Sequence, residues 1–289
     1  MNNLIWSVRR EIWENRSIYL APLVVSGIVL IGFFIGLPAM PSRLLDAMNN
    51  HPGAFHELVE LPYVTAAIIL MAVQLILSVF YCLDALYGER RDRSVLFWKS
   101  MPVSDVTAVV AKASIPILLL PFVTFLCTVA TQAVMLIVSS MVMPSKGVSA
   151  STLWSHMPLL EASRINFVHL LGFHGITYAP LYAWLLLVSA WAPRLPFLWA
   201  TLPPIAIGVI ERVAFNSSFF ATMLQTYFLG SADVPSSSSH VSGTTGMTME
   251  MMAVPLTQIA MRPSLWIGLA VSAVFLLGAV RLRRVRGPI

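Results

Sequence analysis

The sequence predicts an all-α membrane protein of six transmembrane helices, with an amphipathic N-terminal interfacial helix and a short cytoplasmic helix between the second and third spans. Three observations carry this. The chain is 57% hydrophobic and only 11% charged, with a mean hydropathy of +0.79, whereas a soluble domain is about 25% charged. Apolar runs long enough to cross a bilayer, about 20 residues each, recur along the whole chain. The basic residues crowd into alternate connections between those runs, as cytoplasmic loops do.

The first span is expected at Ile18–Leu37 and the second at Tyr63–Leu86, which carries Gln74 and Asp84. The third, Val109–Met141, is over-long and holds Pro116 and Pro121, so a kink or tilt is expected. Phe167–Trp191, with His169, His174 and Pro180, is the fourth, Leu195–Phe215 the fifth and Ser264–Leu282 the sixth. Only Ala192 to Pro196 separates the fourth from the fifth, which makes an antiparallel hairpin. No cleavable signal is expected, because a charged amphipathic stretch precedes the first apolar run. Cys82 and Cys127 sit inside apolar runs and read as packing residues, not a disulfide.

With both termini inside, the inner segments hold Arg9, Arg10, Arg16, Arg90, Arg91, Arg93, Lys99, Lys112, Arg194, Arg281, Arg283, Arg284 and Arg286. The outer ones hold Arg43, Lys146, Arg164, Arg212 and Arg262, so the bias is 13 against 5. The net charge of +5 thus reports orientation in the bilayer and not a nucleic-acid partner. Residues 1–17 read as a helix lying in the interface plane: Leu4, Ile5, Val8 and Ile12 share a face edged by Trp6 and Trp13, with Arg10, Glu11 and Glu14 largely opposite. The extracytoplasmic segment 216–262 begins apolar and continues into a Ser/Gly/Thr-rich loop. Another outer segment separates the third and fourth spans and has room for one short helix near Ser151–His156.

Catalytic signatures are missing. There is no GxxxxGKS/T phosphate loop, no GxSxG elbow and no HExxH zinc helix. On an α-helix His169 and His174 stand about 140° apart and so do not share a face, which favours contacts within the bundle over metal binding. Asp84 and the Glu211–Arg212 pair lie near span ends, avoiding most of the cost of about 2.5–3.5 kcal/mol for a charge at the bilayer centre, and suggest no ion relay.

The stretch from Asp84 to Asp105 stands out. Glu89, Arg90, Arg91, Asp92 and Arg93 are five consecutive charges, followed by Ser94, the apolar block Val95, Leu96, Phe97 and Trp98, and then Lys99. Pro102 should end any short helix, and Ser104 or Asp105 can cap the third span. A juxtamembrane turn with snorkelling arginines and an anchor for a partner pocket both fit these residues. In type and spacing, Glu89 to Ser94, Phe97, Trp98, Lys99 and Pro102 resemble the cytoplasmic segment of bacterial ATP-binding-cassette type-2 permeases. The six-span layout, the amphipathic N-terminal helix and the long outer segment before the last span are similar as well.

The resemblance implies a single permease domain over the whole chain in a bacterial inner membrane, with residues 88–105 as the segment that couples to an ATPase. It implies a non-enzymatic half-transporter in which two six-span subunits, identical or closely paralogous, pair with two copies of a separate ATPase. ATP and Mg would then be bound by that partner, with no cofactor in this chain. It leaves the exported substrate open. A second reading, metal or cofactor maturation, rests on Met247, Met249, Met251 and Met252 with His240 upstream, since thioethers suit Cu(I). With only His240 and Glu250 beside them, an apolar gate is the expected role of these methionines. A third reading, an intramembrane enzyme or passive scaffold, finds no catalytic constellation.

Overall fold

The computed structural model describes residues 3–50, 52–93, 104–146, 151, 154, 159–229 and 261–285. Among them every element is helical, and five helices are long and apolar enough to cross a membrane, or six with one bent pair taken as a single span. The chain is therefore a membrane protein. All six expected spans have their helical counterpart.

Helix α1 (Asn3–Glu14) precedes the first span, α2 (Ser17–Gly36). After a 3-10 turn at Leu37–Ala39 comes α3 (Met40–Asn50), then α4 (Pro52–Ala85). Helix α3 and the first turns of α4 fill the connection between the first two expected spans, for which the sequence reading names no element. Pro41 sits in the first turn of α3, where a missing N–H costs nothing. Leu44 and Ala47 of α3 then pack on Phe55, Val59 and Tyr63 of α4 and on Met143. At 34 residues, α4 is about 51 Å long, well beyond the hydrocarbon thickness of about 30 Å, so its first turns and α3 form a cap on one end of the bundle.

Helix α5 (Tyr87–Arg91) continues α4 after a break. Ser189 secures that break: its hydroxyl oxygen accepts from the N–H groups of Leu86 (3.0 Å) and Tyr87 (2.8 Å), and its proton goes to the Leu83 carbonyl (2.8 Å). The third span starts at α6 (Asp105–Ser114), whose first turn Ser104 caps by accepting from the Thr107 N–H at 3.1 Å. A π-helical turn, Ile115–Leu119, leads into α7 (Leu120–Val142). Pro116 and Pro121 are absorbed by this widened turn, a common accommodation for missing donors.

The fourth span bends by 45°. Its first half is α8 (Leu159–Phe167) with a π-helical segment Val168–Thr177, and its second half is α9 (Ala179–Trp191). Pro180 sits at the start of the second half. The two π segments touch: the i+4 donor of the Ile117 carbonyl is replaced by Pro121, and Gly175 backs onto that carbonyl so closely that a methyl there would run into the oxygen. The fifth span, α10 (Pro196–Phe215), returns through the expected tight hairpin, with Leu195 left-handed at φ 49°. Trp184 ties the hairpin by donating to the Ala200 carbonyl at 3.1 Å.

Beyond α10, α11 (Phe219–Leu229) folds back. The Glu211 carboxylate caps it, accepting from Ser217, Phe219 and Phe220; its Phe228 stacks on Tyr178 at the bend of the fourth span, and its Tyr227 lies against Gly268. The last span is α12 (Pro263–Val285). One core joins α4, α6, α9 and α10 through Cys82, Ala113, Tyr182, Leu186 and Ala200. Leu86, Val109, Ala190, Ala279 and Val280 draw in α12. A chain of buried amides ties α8 to α7 and α4: Asn166 donates to the Gln132 side-chain oxygen at 3.1 Å, and Gln132 donates to the Tyr63 carbonyl at 3.2 Å.

Gly175→Ala should force the two π segments apart and destabilise the protein by about 1–3 kcal/mol, the usual range for overpacking. Gly27→Ala, with open space around the added methyl, should not. Thermal denaturation of the detergent-purified variants by fluorescence-detected gel filtration checks this.

Candidate functional site: a buried charge cluster at one end of the bundle

The ends of α1, α5, α6 and α12 meet in a cluster of charges almost closed to solvent. At its centre is Lys112, seven residues into the third span, with a side chain only 4% exposed. Its ammonium lies 2.9 Å from the Glu11 carboxylate of α1 and 3.2 Å from Glu89 of α5. Arg10 approaches the same two carboxylates, at 2.9 Å and 3.3 Å. Arg283 of α12 reaches the other Glu89 oxygen at 3.3 Å and Asp105 of α6 at 2.9 Å. Three carboxylates thus face three cations, with Arg284 near Asp105 at 3.7 Å and Glu14 near Arg10 at 3.4 Å on the rim. Charges this buried survive only when paired and hydrogen-bonded, and balance is what permits so many together. Tyr81 adds a hydroxyl that donates to Glu11 at 2.9 Å.

Burial alone would push the Glu11 carboxyl up, but the Lys112 ammonium, the Arg10 guanidinium and the Tyr81 hydroxyl together hold it below its ordinary value of 4.5. A depressed native value stabilises the fold fully above the ordinary value, and that stabilisation is lost as the pH falls through the native one.

The sequence expectation for α1 needs correction. Glu11 is not on the outward polar face but buried on the inner side. It follows Val8 by three residues, about 60° around the helix, and Val8 packs against Ile18, Ile115 and Leu120. The apolar residues Leu4, Ile5, Trp6 and Trp13 point outward instead. Arg9 stands between the two tryptophans, its guanidinium 5.3 Å from the Trp6 ring and 4.7 Å from Trp13, a cation–π arrangement suited to a lipid headgroup layer.

The charged run Glu89–Arg93 divides in two. Glu89 faces the cluster, and Arg90 is buried, its guanidinium donating to the carbonyls of Ala190 (2.8 Å) and Ala192 (3.2 Å) at the C-terminal end of α9. Arg91, Asp92 and Arg93 are exposed. Arg91 pairs with Asp92 at 3.0 Å and lies over the Tyr87 ring. The Asp92 N–H still bonds the Gly88 carbonyl at 2.9 Å, and Arg93 is left-handed at φ 57°, a helix-ending conformation. Asp92 and Arg93 therefore form the turn that closes α5. Ser94, Val95, Leu96, Phe97, Trp98 and Lys99 lie outside the described residues, as do Met247, Met249, Met251, Met252 and His240.

Sequence reasoning missed Glu11, Tyr81, Asp105, Lys112 and Arg283 as partners. One signal was present: a lysine two turns inside an apolar helix calls for a carboxylate. Among the described residues no group of three or more His, Cys, Asp or Glu side chains could hold a metal. No known family, curated protein or solved structure matches the chain.

Lys112→Met should cost about 3–5 kcal/mol, because it leaves buried carboxylates short of a cation, and adding Glu11→Gln should recover part of the loss. Thermal melts of the single and double variants measure the coupling. Acidification below 4.5 should loosen α1, seen as faster proteolysis after Arg9 or a shift in tryptophan emission, and Glu11→Gln should flatten that response.

Proposed function

We propose that this chain is the permease subunit of an ATP-driven exporter, working as a pair and coupled to two copies of a separate ATPase that binds ATP and Mg. The observation that carries the reading is the clamp at the base of residues 90–104. Glu89 enters that segment and Asp105 leaves it, and Arg283 holds both, at 3.3 Å and 2.9 Å. A stroke delivered by soluble subunits needs an element gripped outside the membrane and rigidly joined to several spans. Here the two ends of the segment are tied to each other, to α12, to α1 through Lys112 and, through Arg90, to α9. A force on residues 92–104 would be shared by the second, third, fourth and sixth spans.

The resemblance of Glu89–Lys99 to the type-2 permease pattern and the basic bias of this end support the same reading, which puts both termini and this segment in the cytoplasm of a bacterial inner membrane. In this assignment Phe97 and Trp98 are the anchors in an ATPase groove, the exposed Arg91, Asp92 and Arg93 orient it by charge, and Glu89 and Arg90 connect it to the bundle.

Trp98→Ala and Phe97→Ala should each weaken ATPase association by about 2 kcal/mol, roughly thirtyfold, while truncation of Lys99 should matter much less. Co-purification of the ATPase and transport per ATP hydrolysed are the readouts, and normal values for both aromatic variants would sink the proposal. Arg283→Ala should leave association intact but lower transport per ATP. Cysteine labels near Ser145 and Ser236 should react from outside intact cells, and labels near Arg93 and Arg284 should not.

A further inference from the structure

The bend of the fourth span carries chemistry that an exporter's coupling does not use. His169 and His174 both lie in the π-helical segment Val168–Thr177. An α-helix would set them about 140° apart, but in a π-helix, where bonds run from i to i+5, a five-residue spacing returns to nearly the same side. Their ring centroids are accordingly 5.4 Å apart, with planes inclined at 59°. Phe173 stacks on His169 at 5.1 Å, and Tyr178 meets His174 edge-on at 5.4 Å. His174 is 8% exposed, and its buried Nδ1 has no hydrogen-bond partner among the described residues. An unmade hydrogen bond of this kind costs about 1–3 kcal/mol. A neutral imidazole nitrogen is also a metal ligand.

We propose that His169 and His174 form an intramembrane site for a soft monovalent cation, Cu(I), held by one ring nitrogen from each. Bonds of about 2.0 Å from metal to nitrogen would separate the ring centroids by about 5 Å at a tetrahedral angle and about 6.4 Å in a linear arrangement. The observed spacing falls between these limits. The pair supplies two neutral donors, and no third His, Cys, Asp or Glu joins them among the described residues. In a low-dielectric setting the cost of burying an ion grows with the square of its charge. Cu(I) is therefore favoured over Zn(II), although imidazole accepts both. Phe173 and Tyr178 exclude water around the pair. The widened π turn, a frequent mark of functional sites, is what brings the two donors together.

The test uses the whole protein purified in detergent, loaded with Cu(I) under anaerobic conditions and then challenged with a chromophoric Cu(I) chelator. It should retain one copper per chain, with X-ray absorption showing nitrogen neighbours and no sulfur shell. His169→Phe and His174→Phe keep a ring in the aromatic stack, and each should lower copper affinity by at least about tenfold. The combined replacement of Met247, Met249 and Met251 by Leu should leave retention unchanged. ATPase co-purification should be normal in both His variants, so failure here is separable from failure of the exporter reading. The proposal is overturned if the wild-type protein yields its copper at once, shows sulfur ligation, prefers Zn(II), or holds copper equally well without either histidine. Should a His variant fail to fold, the wild-type absorption spectrum decides alone.

Discussion

Lys112 sets the terms for one whole end of the molecule. An ammonium this far inside an apolar helix is tolerable only with anionic neighbours, and the chain brings them from two distant places, Glu11 and Glu89. Those two carboxylates in turn require further cations, which Arg10 and Arg283 supply. The positions of α1, α5, α6 and the end of α12 follow from satisfying this set. The inside-out appearance of α1 has the same origin: Arg10 and Glu11 are claimed by the protein, so its tryptophans are left for the lipid.

The remainder of the bundle is held by quieter means. Ser189 and Arg90 fasten the junction of α4 and α5 to the end of α9 by hydrogen bonds. The buried amides of Asn166 and Gln132 link α8, α7 and α4 where no charge is available. Between these regions the two π segments meet at Gly175 and Ile117. Each π segment interrupts a span that would otherwise pack as a plain cylinder, and the contact needs the absence of a side chain on one partner.

Much of the architecture was legible in the sequence because bilayer thickness and backbone satisfaction leave few options for a 20-residue apolar run. The hairpin at Ala192–Pro196 and the Ser104 cap followed from spacing and turn chemistry. What escaped depended on geometry that no α-periodicity reports. Helix α3 is too short and too polar to register as a span, and its Pro41 sits in the first turn, where a missing N–H is harmless. His169 and His174 share a side only because the helix between them widens. The cluster partners are scattered along the chain from Arg10 to Arg283, and their individual charges read as ordinary flanking residues. Glu11 escaped because the apolar face of α1 is itself divided: Val8 turns to the core and carries Glu11 with it, while Leu4 and Ile5 stay exposed.

The position of Arg283 has a consequence for biosynthesis. It belongs to the last of the described spans, so the ribosome delivers it after Arg10, Glu11, Glu89, Asp105 and Lys112. Until then Glu89 and Asp105 lack the guanidinium they share, and α6 carries an acidic first turn with one partner missing. Insertion of the sixth span supplies the guanidinium that Glu89 and Asp105 share and so closes the charged end.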